Sequence, residues 1–420
     1  MMSVTARPAT SHFRWVICAL LFFATVIAYV DRGVLAFLEK FLEGLFHFHS
    51  REYSYMTTAF QIAYGIGLLT AGRLTDRLGT RKGFALAIVL WSLAAMAPGA
   101  AMGTWTFGIA MFFLGLGEAA NFPACIKTVA EWFPKRERAL ATGLFNAGAN
   151  AGAMLVPAVV PFLADTFGWR GAFIATGALG FVWLAFWLAV YGKPETHRMV
   201  SPDELALIQS DPAEKIESVP WGPLFPLKET WAFAFGKMLT DPIWWFYIFW
   251  LPRYVQETFH LTLGKSSAPI LAVYAASTVG SVGGGWLSSV MLKRGKSVNV
   301  ARKTALLVCA LAVLPVLYAP YSKNLWVVVA LVGLATAAHQ GWSANLFTLV
   351  SDMFPKSAVG SVVGIGGMAG AIAGGIMQLV AGRIADWSYL PLFIFAGTGY
   401  MLALIIIHRL SPQLRPARLE

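Results

Sequence analysis

Eight ionisable residues interrupt the long apolar runs of this chain: Asp31, Arg32, Glu118, Lys127, Lys237, Asp241, Arg253 and His339. A charge held inside lipid costs roughly 2.5–3.5 kcal/mol on insertion scales, so each is a functional candidate before anything else is known. Asp31 and Arg32 pose the problem most sharply, because both fall inside "ATVIAYVDRGVLAFLEKF" at 24–41. The planar guanidinium of Arg32 suits a carboxylate ligand through two parallel charge-assisted hydrogen bonds, and Tyr29 shares its helical face. Counted from Trp15 at 1.5 Å per residue, Arg32 lies about 25 Å along a helix. That is past the midplane of a straight span, so a snorkelling interfacial arginine is the competing reading. Asp31 sits about 100° around the helix from Arg32 and reads as a counter-ion or a second proton site.

Glu118, in "FLGLGEAANFPA", is flanked by Gly115 and Gly117, where a neighbouring helix can pack closely. A carboxylate between a desolvating environment and a nearby guanidinium can exchange a proton near neutral pH, which makes Glu118 the first proton-carrier candidate. A structural hydrogen bond between helices is the alternative for both acids. Neutral groups supply the remaining wall. His339, Gln340 and Ser343 in "TAAHQGWSANLF" offer donors and acceptors for sugar-like hydroxyls, against a packed core histidine as the plainer reading. Gln61 and Tyr64 follow Thr57 at helical spacing, and Asn146 and Asn150 stand four apart; both stripes read as cavity lining, with interhelical bonding nearly as well supported for the asparagines. Lys127, Lys237 and Arg253 read as interfacial anchors. Asp241 followed by Pro242 predicts a broken helix and a hinge.

The elements that must position these residues are membrane helices. Of 420 residues, 57% are hydrophobic and 13% charged, against roughly 45–50% and about 25% in soluble domains. Spanning a ~30 Å hydrocarbon layer takes about 20 apolar helical residues, because lipid satisfies no backbone group. Twelve segments qualify: 15–38, 53–72, 83–102, 105–127, 139–164, 170–191, 231–257, 267–291, 302–320, 325–349, 359–381 and 389–408. The first is too long and too charged for a cleaved signal sequence. Cys18, Cys125 and Cys309 fall in separate apolar segments without metal-like spacing, so neither a metal nor a cofactor is expected. The net charge of +11 is spread by loop and not gathered in one patch, which argues against nucleic acid. With the N-terminus inside, the outer loops hold only Lys40, Arg51, Arg170, Lys265, Lys323 and Arg383, and the positive-inside rule places both termini in the cytoplasm.

The segments divide six and six around a polar connection, predicting an N-terminal bundle at 1–191, a cytoplasmic linker at 192–229 and a C-terminal bundle at 230–420. The halves resemble each other: "EWFPKRERALATGLFNAGANAGA" from Glu131 aligns with "DMFPKSAVGSVVGIGGMAGAIAG" from Asp352, an offset that pairs Arg32 with Arg253 and Glu118 with His339. A parallel six-plus-six repeat is a transporter architecture with its site between the halves at the midplane. The loop "GRLTDRLGTRK", 72–82, resembles the signature loop of the major facilitator superfamily in Gly72, Asp76, Arg77, Gly79, Arg81 and Lys82, and reads as a conformational latch; Ser289 replaces the acid in its second-half copy. The expected fold is therefore an all-α membrane protein of twelve transmembrane helices in two six-helix bundles.

Further strings, "YVDRGVL", "GEAANFPACIKTVAEWFP", "FGWRGAF" and "WWFYIFWLPRYV", resemble the anion:cation symporters of that superfamily, and "AHQGWSANLFTLVSDMFP" is most similar to bacterial hexuronate transporters. The resemblance covers essentially the whole chain. It implies a non-enzymatic, monomeric carrier of the bacterial cytoplasmic membrane that takes up a sugar-acid anion, glucuronate or galacturonate, with protons. Arg32 would hold the carboxylate, Asp31 and Glu118 would couple protons, and Tyr64 would line the site. Where sugar-acid relatives can carry an Asn in span eleven, this chain has "GIGG" at 364–367, so polar partners must come from span ten or five. Carriers of aldonates or aldarates and proton-driven exporters use the same fold, and a non-transporting sensor would bind without flux.

Overall fold

A computed structural model of the chain describes residues 11–210 and 222–417, without the side chains of 69, 71–76, 135–136, 138–140, 282 and 356–357. The described residues form helices and no strand: α1 (Phe13–Phe46), α2 (Ser50–Leu78), α3 (Thr80–Met96), α4 (Thr104–Glu118), α5 (Asn121–Trp132), α6 (Lys135–Val190), α7 (Pro202–Ile208), α8 (Lys228–Thr258), α9 (Leu263–Lys293), α10 (Val298–Val313), α11 (Leu325–Met353), α12 (Lys356–Ile384) and α13 (Leu390–Leu410). They make twelve crossings. α4 and α5 share one, α6 makes two, and α7 belongs to the connection between the halves. Gly168 divides α6 by taking φ 71°, a left-handed conformation that costs glycine little. Nine described helices are long and apolar enough to cross a membrane, with residues 141–190 counted once. α2 and α8 fall short on hydropathy because they carry the polar stripes described below.

The helices outrun their apolar runs. α1 has 34 residues, about 51 Å at 1.5 Å per residue, so it projects well beyond a ~30 Å hydrocarbon layer. Arg32 therefore lies near the middle of its helix and is only 3% exposed, which removes the snorkelling alternative. α8 corrects a second expectation. It runs unbroken from Lys228 to Thr258 through Pro242 and Pro252, so Asp241 marks no gap in the helix. The interruption lies elsewhere, at Ala119 and Ala120 between α4 and α5. Pro123 has no N–H to give the Ala119 carbonyl, and the turn after Glu118 tightens to an i→i+3 bond from Ala120 to Gly117.

The first six crossings pack as one bundle and the last six as another, meeting where α2 lies on α12, α6 on α9 and α1 on α8. Lipid provides no hydrophobic drive between helices, so close approach depends on small residues. A Cβ on Gly115 would strike the Phe60 backbone of α2, one on Gly117 would reach Trp91 of α3, and Gly280 and Gly284 of α9 lie against Ala337 and Gly341 of α11.

The segment after the first bundle is tied back to α1. Arg14, buried, bonds Glu137 at 2.9 Å and Glu204 at 2.9 Å. Glu204 also accepts from the backbone of Phe13 and Arg14 and from Ser11, and Ser201 caps α7 through the Glu204 N–H. Burial alone would push the Glu204 carboxyl up, but these donors and the Arg14 guanidinium hold it below the ordinary glutamate value. The contribution is complete above that ordinary value and is lost as pH falls through the lowered one. Glu204→Gln is expected to cost about 1–3 kcal/mol at neutral pH. Thermal melting in detergent should show that deficit at pH 7 and its disappearance in acid.

Candidate functional site

Two charges meet at the centre of the seam. Arg32 Nε donates to Glu118 Oε2 at 2.6 Å, and both residues are buried, 3% and 0% exposed. α1 brings the arginine and the last residue of α4 brings the acid, where Gly115 and Gly117 let α4 settle between α2 and α3. Four aromatic rings surround the guanidinium: Tyr29 at 4.6 Å, Phe60 at 5.1 Å, Tyr64 at 5.1 Å and Trp245 at 5.2 Å. Trp245 comes from α8, so both halves enclose the cation. Glu118 engages Arg32 through Nε, and the planar guanidinium is a fork that a substrate carboxylate can take in its place. Aromatic faces also suit the C–H face of a sugar while stabilising the arginine through their quadrupoles.

Asp31 is buried nearby, and neither carboxylate oxygen has a hydrogen-bond partner among the described residues. Glu118, not Asp31, is the ionic partner of Arg32. Glu118 Oε1 is likewise unpartnered, as are both polar atoms of Gln61, which is 1% exposed against Gly374 of α12. Buried polar atoms without partners are uncommon and costly, and Glu118, the acid bonded to Arg32, carries one of them. Across the seam, Gln340 Nε2 donates to Asn150 Oδ1 at 3.1 Å, joining α11 to α6. Ser343 is half-buried on the same face of α11 as Gln340, and Asn146 is exposed one turn before Asn150.

His339 requires a correction. Its ring stacks on Trp244 at 5.0 Å and its Nδ1 lies 2.6 Å from the Tyr400 hydroxyl of α13, so it is a satisfied histidine inside the second bundle and not part of the cavity wall. Asn345 likewise bonds the backbone of Gly284 and Gly341. In the signature loop, Gly79 takes φ 77°, Arg81 donates to the Leu188 carbonyl and Arg77 is exposed. Thr80 donates to Glu131 at 2.6 Å. The side chain of Asp76 and the surroundings of Gly72 lie outside the described residues.

Several contributors were missed from sequence. Phe60 and Trp245 carried no signal beyond apolarity. Lys237 is no interfacial anchor: its Nζ bonds Asp241 at 2.8 Å and sits 4.7 Å from the Phe347 ring. Four-residue spacing with opposite charge was the available clue. Arg253 is no lipid anchor either. It is 2% exposed and bonds Glu39, Glu43 at 3.3 Å, Glu257 at 3.0 Å and Asp386 at 3.4 Å, while Lys40 bonds Glu43 at 2.8 Å and Glu257 at 2.7 Å.

A buried ion pair enclosed by two six-helix halves is the architecture of a membrane carrier. Residues 21–378 match the Major Facilitator Superfamily, and the chain belongs to that family. It is a transporter and not an enzyme. It is 29% identical over 405 residues to a hexuronate transporter of Escherichia coli (strain K12), covering 94% of this chain and 93% of that protein. It is also 29% identical over 428 residues to a probable galactarate/D-glucarate transporter of Bacillus subtilis (strain 168), covering 96% and 93%. Among solved structures, a bacterial homologue of the human lysosomal transporter Spinster, inward-facing and occupied, superposes with a TM-score of 0.72 at 15% identity over 96% of each chain, a likeness of fold.

Proposed function

We propose that the protein imports a sugar-acid monoanion, glucuronate or galacturonate, together with protons by alternating access, as a monomer of the bacterial cytoplasmic membrane with both termini inside. The observation that carries this reading is Arg32, buried between the halves and bonded to Glu118 within an aromatic cage. The full-length likeness to a hexuronate transporter supports the substrate class. The bundle limits 1–191 and 230–420, with the linker at 192–229, complete the proposal.

The site explains how anion and proton would travel together. The substrate carboxylate takes the Arg32 fork and displaces Glu118, which then needs a proton because an unpaired carboxylate in this setting is costly. One anion and one proton enter, and the cavity stays charge-balanced. Asp31 is the second acid within reach and would carry a further proton or balance Arg32 while Glu118 exchanges. Gln61, Tyr64, Asn146, Asn150, Gln340 and Ser343 would meet the hydroxyls. The signature loop, Gly72 to Arg81, would hold the end that carries the termini in one state.

The test is uptake of labelled glucuronate into proteoliposomes. An inward proton gradient is expected to drive accumulation, and a protonophore to abolish it. Equal accumulation without any imposed gradient would sink the coupling, and no uptake of any uronate or related sugar acid would sink the substrate class.

A further inference from the structure

Lys237 and Asp241 form an ion pair within one helix, one turn apart on α8, with side chains 12% and 18% exposed. Ion pairs that hold a fold together join separate elements, as Arg14 joins α1 to Glu137 and Glu204. This one joins two residues of the same helix, and it places two charges inside a membrane crossing, where each is costly. Its surroundings are shaped to receive it. Gly370 of α12 faces the Asp241 carboxylate, where a Cβ would collide, and Gly374, one turn along, makes the same room for Trp245.

The position matters because Trp245 is one of the rings around Arg32. Asp241 lies one turn from Trp245, about 6 Å along the helix, which is the scale of a single sugar. Phe347, whose ring covers the Lys237 ammonium, stands on α11 one turn from Ser343 and two from Gln340, and all three are half-buried. A small molecule anchored at Arg32 therefore has a donor and an acceptor of the second half at its other end. Unlike the Arg32–Glu118 pair, this pair is partly open.

We infer that Lys237 and Asp241 are the substrate contacts of the C-terminal half, reading the end of the sugar acid remote from its carboxylate: Asp241 accepts from the C1 hydroxyl and Lys237 donates to a neighbouring oxygen. The inference rests on the sugar-acid reading of the Arg32 site and extends it to specificity. A site built to bond a hydroxyl rejects an analogue lacking it, because its own polar groups are then left unpaired.

Calorimetric titration of the full-length protein in lipid nanodiscs with glucuronate and with methyl glucuronoside, whose C1 oxygen carries no proton, tests it. The wild type should prefer glucuronate by about 10- to 100-fold; the near-isosteric Asp241→Asn should lose most of that preference through weaker glucuronate binding, whereas Lys237→Met should weaken both ligands and leave their ratio. Lys237→Arg should retain binding of both. An unchanged preference in Asp241→Asn, or undiminished binding of both ligands in Lys237→Met, overturns the inference. Wild-type protein that binds neither ligand overturns the sugar-acid reading itself and this inference with it, whereas wild-type binding with indifferent variants overturns the inference alone. Unchanged melting temperatures of the variants separate loss of contact from loss of fold.

Discussion

Arg32→Ala weakens glucuronate binding by at least about 100-fold, because two charge-assisted hydrogen bonds to the carboxylate are removed at about 1.5–3 kcal/mol each. Arg32→Lys keeps the charge but not the planar fork and recovers only part of the loss. The same change has a cost without ligand, since it leaves Glu118 buried without a cation, a defect worth about 3–5 kcal/mol. Arg32→Ala combined with Glu118→Gln should restore the melting temperature without restoring affinity, which separates the anchor from the scaffold. Glu118→Gln alone probes the coupling. If binding releases Glu118 from Arg32 and the acid takes up a proton, wild-type affinity falls as pH rises, approaching tenfold per unit where one proton is taken up. In the glutamine variant that dependence flattens. Binding in Arg32→Ala within about threefold of wild type would remove the carboxylate from this site, and the same pH slope in both proteins would remove Glu118 from the coupling.

How much of this could be read from sequence depends on the range of the interaction. The crossings were legible because a chain in lipid must satisfy its backbone within each helix, and that requirement marks apolar stretches residue by residue. Their true lengths were not: α1 continues past its apolar run to Phe46, which moves Arg32 from the far half of a short span to the middle of a long one. Arg32 and Glu118 could be singled out because charge in an apolar run is conspicuous. Their meeting could not, for they stand 86 residues apart on different helices. His339 shows the opposite failure. Its type and neighbours suit a cavity, but which way it faces is decided by Trp244 and Tyr400, and no local pattern records that. Lys237 was misread although its partner lay only four residues away, because a lysine six residues into a span has the position of a snorkelling anchor.

Arg253→Ala opens the end of the protein remote from its termini. There the arginine of α8 bonds Glu39 and Glu43 of α1, and Lys40 of α1 bonds Glu257 of α8, so the ion pairs cross from one half to the other. Tyr389 and Asp386 of the second half close the same cluster through Glu257 and Arg253, and Tyr53 of α2 donates to the Phe249 carbonyl of α8 beside it. Among the described residues, the pairs at the opposite end behave differently: Arg14 bonds the first half and the linker, and Arg302 bonds Asp352 within the second. A carrier that alternates must break the crossing set to face the other side. Removing Arg253 strands Glu39, which is 0% exposed, and costs the closed arrangement about 3–5 kcal/mol. Since about 5.5 kcal/mol carries a two-state equilibrium from 1:99 to 99:1, that loss is enough to bring a minor open form to measurable population. Spin labels at Gly44→Cys and Trp387→Cys, both exposed, should report a second, longer distance in Arg253→Ala. That population should recede when Glu39→Gln is added, because the stranded charge is then gone. The three native cysteines are buried and leave the labelling selective. A single unchanged distance in a variant that still binds glucuronate would mean that the cluster holds shape and not state, and the closing of this end would then have to come from the packing of α2 on α12.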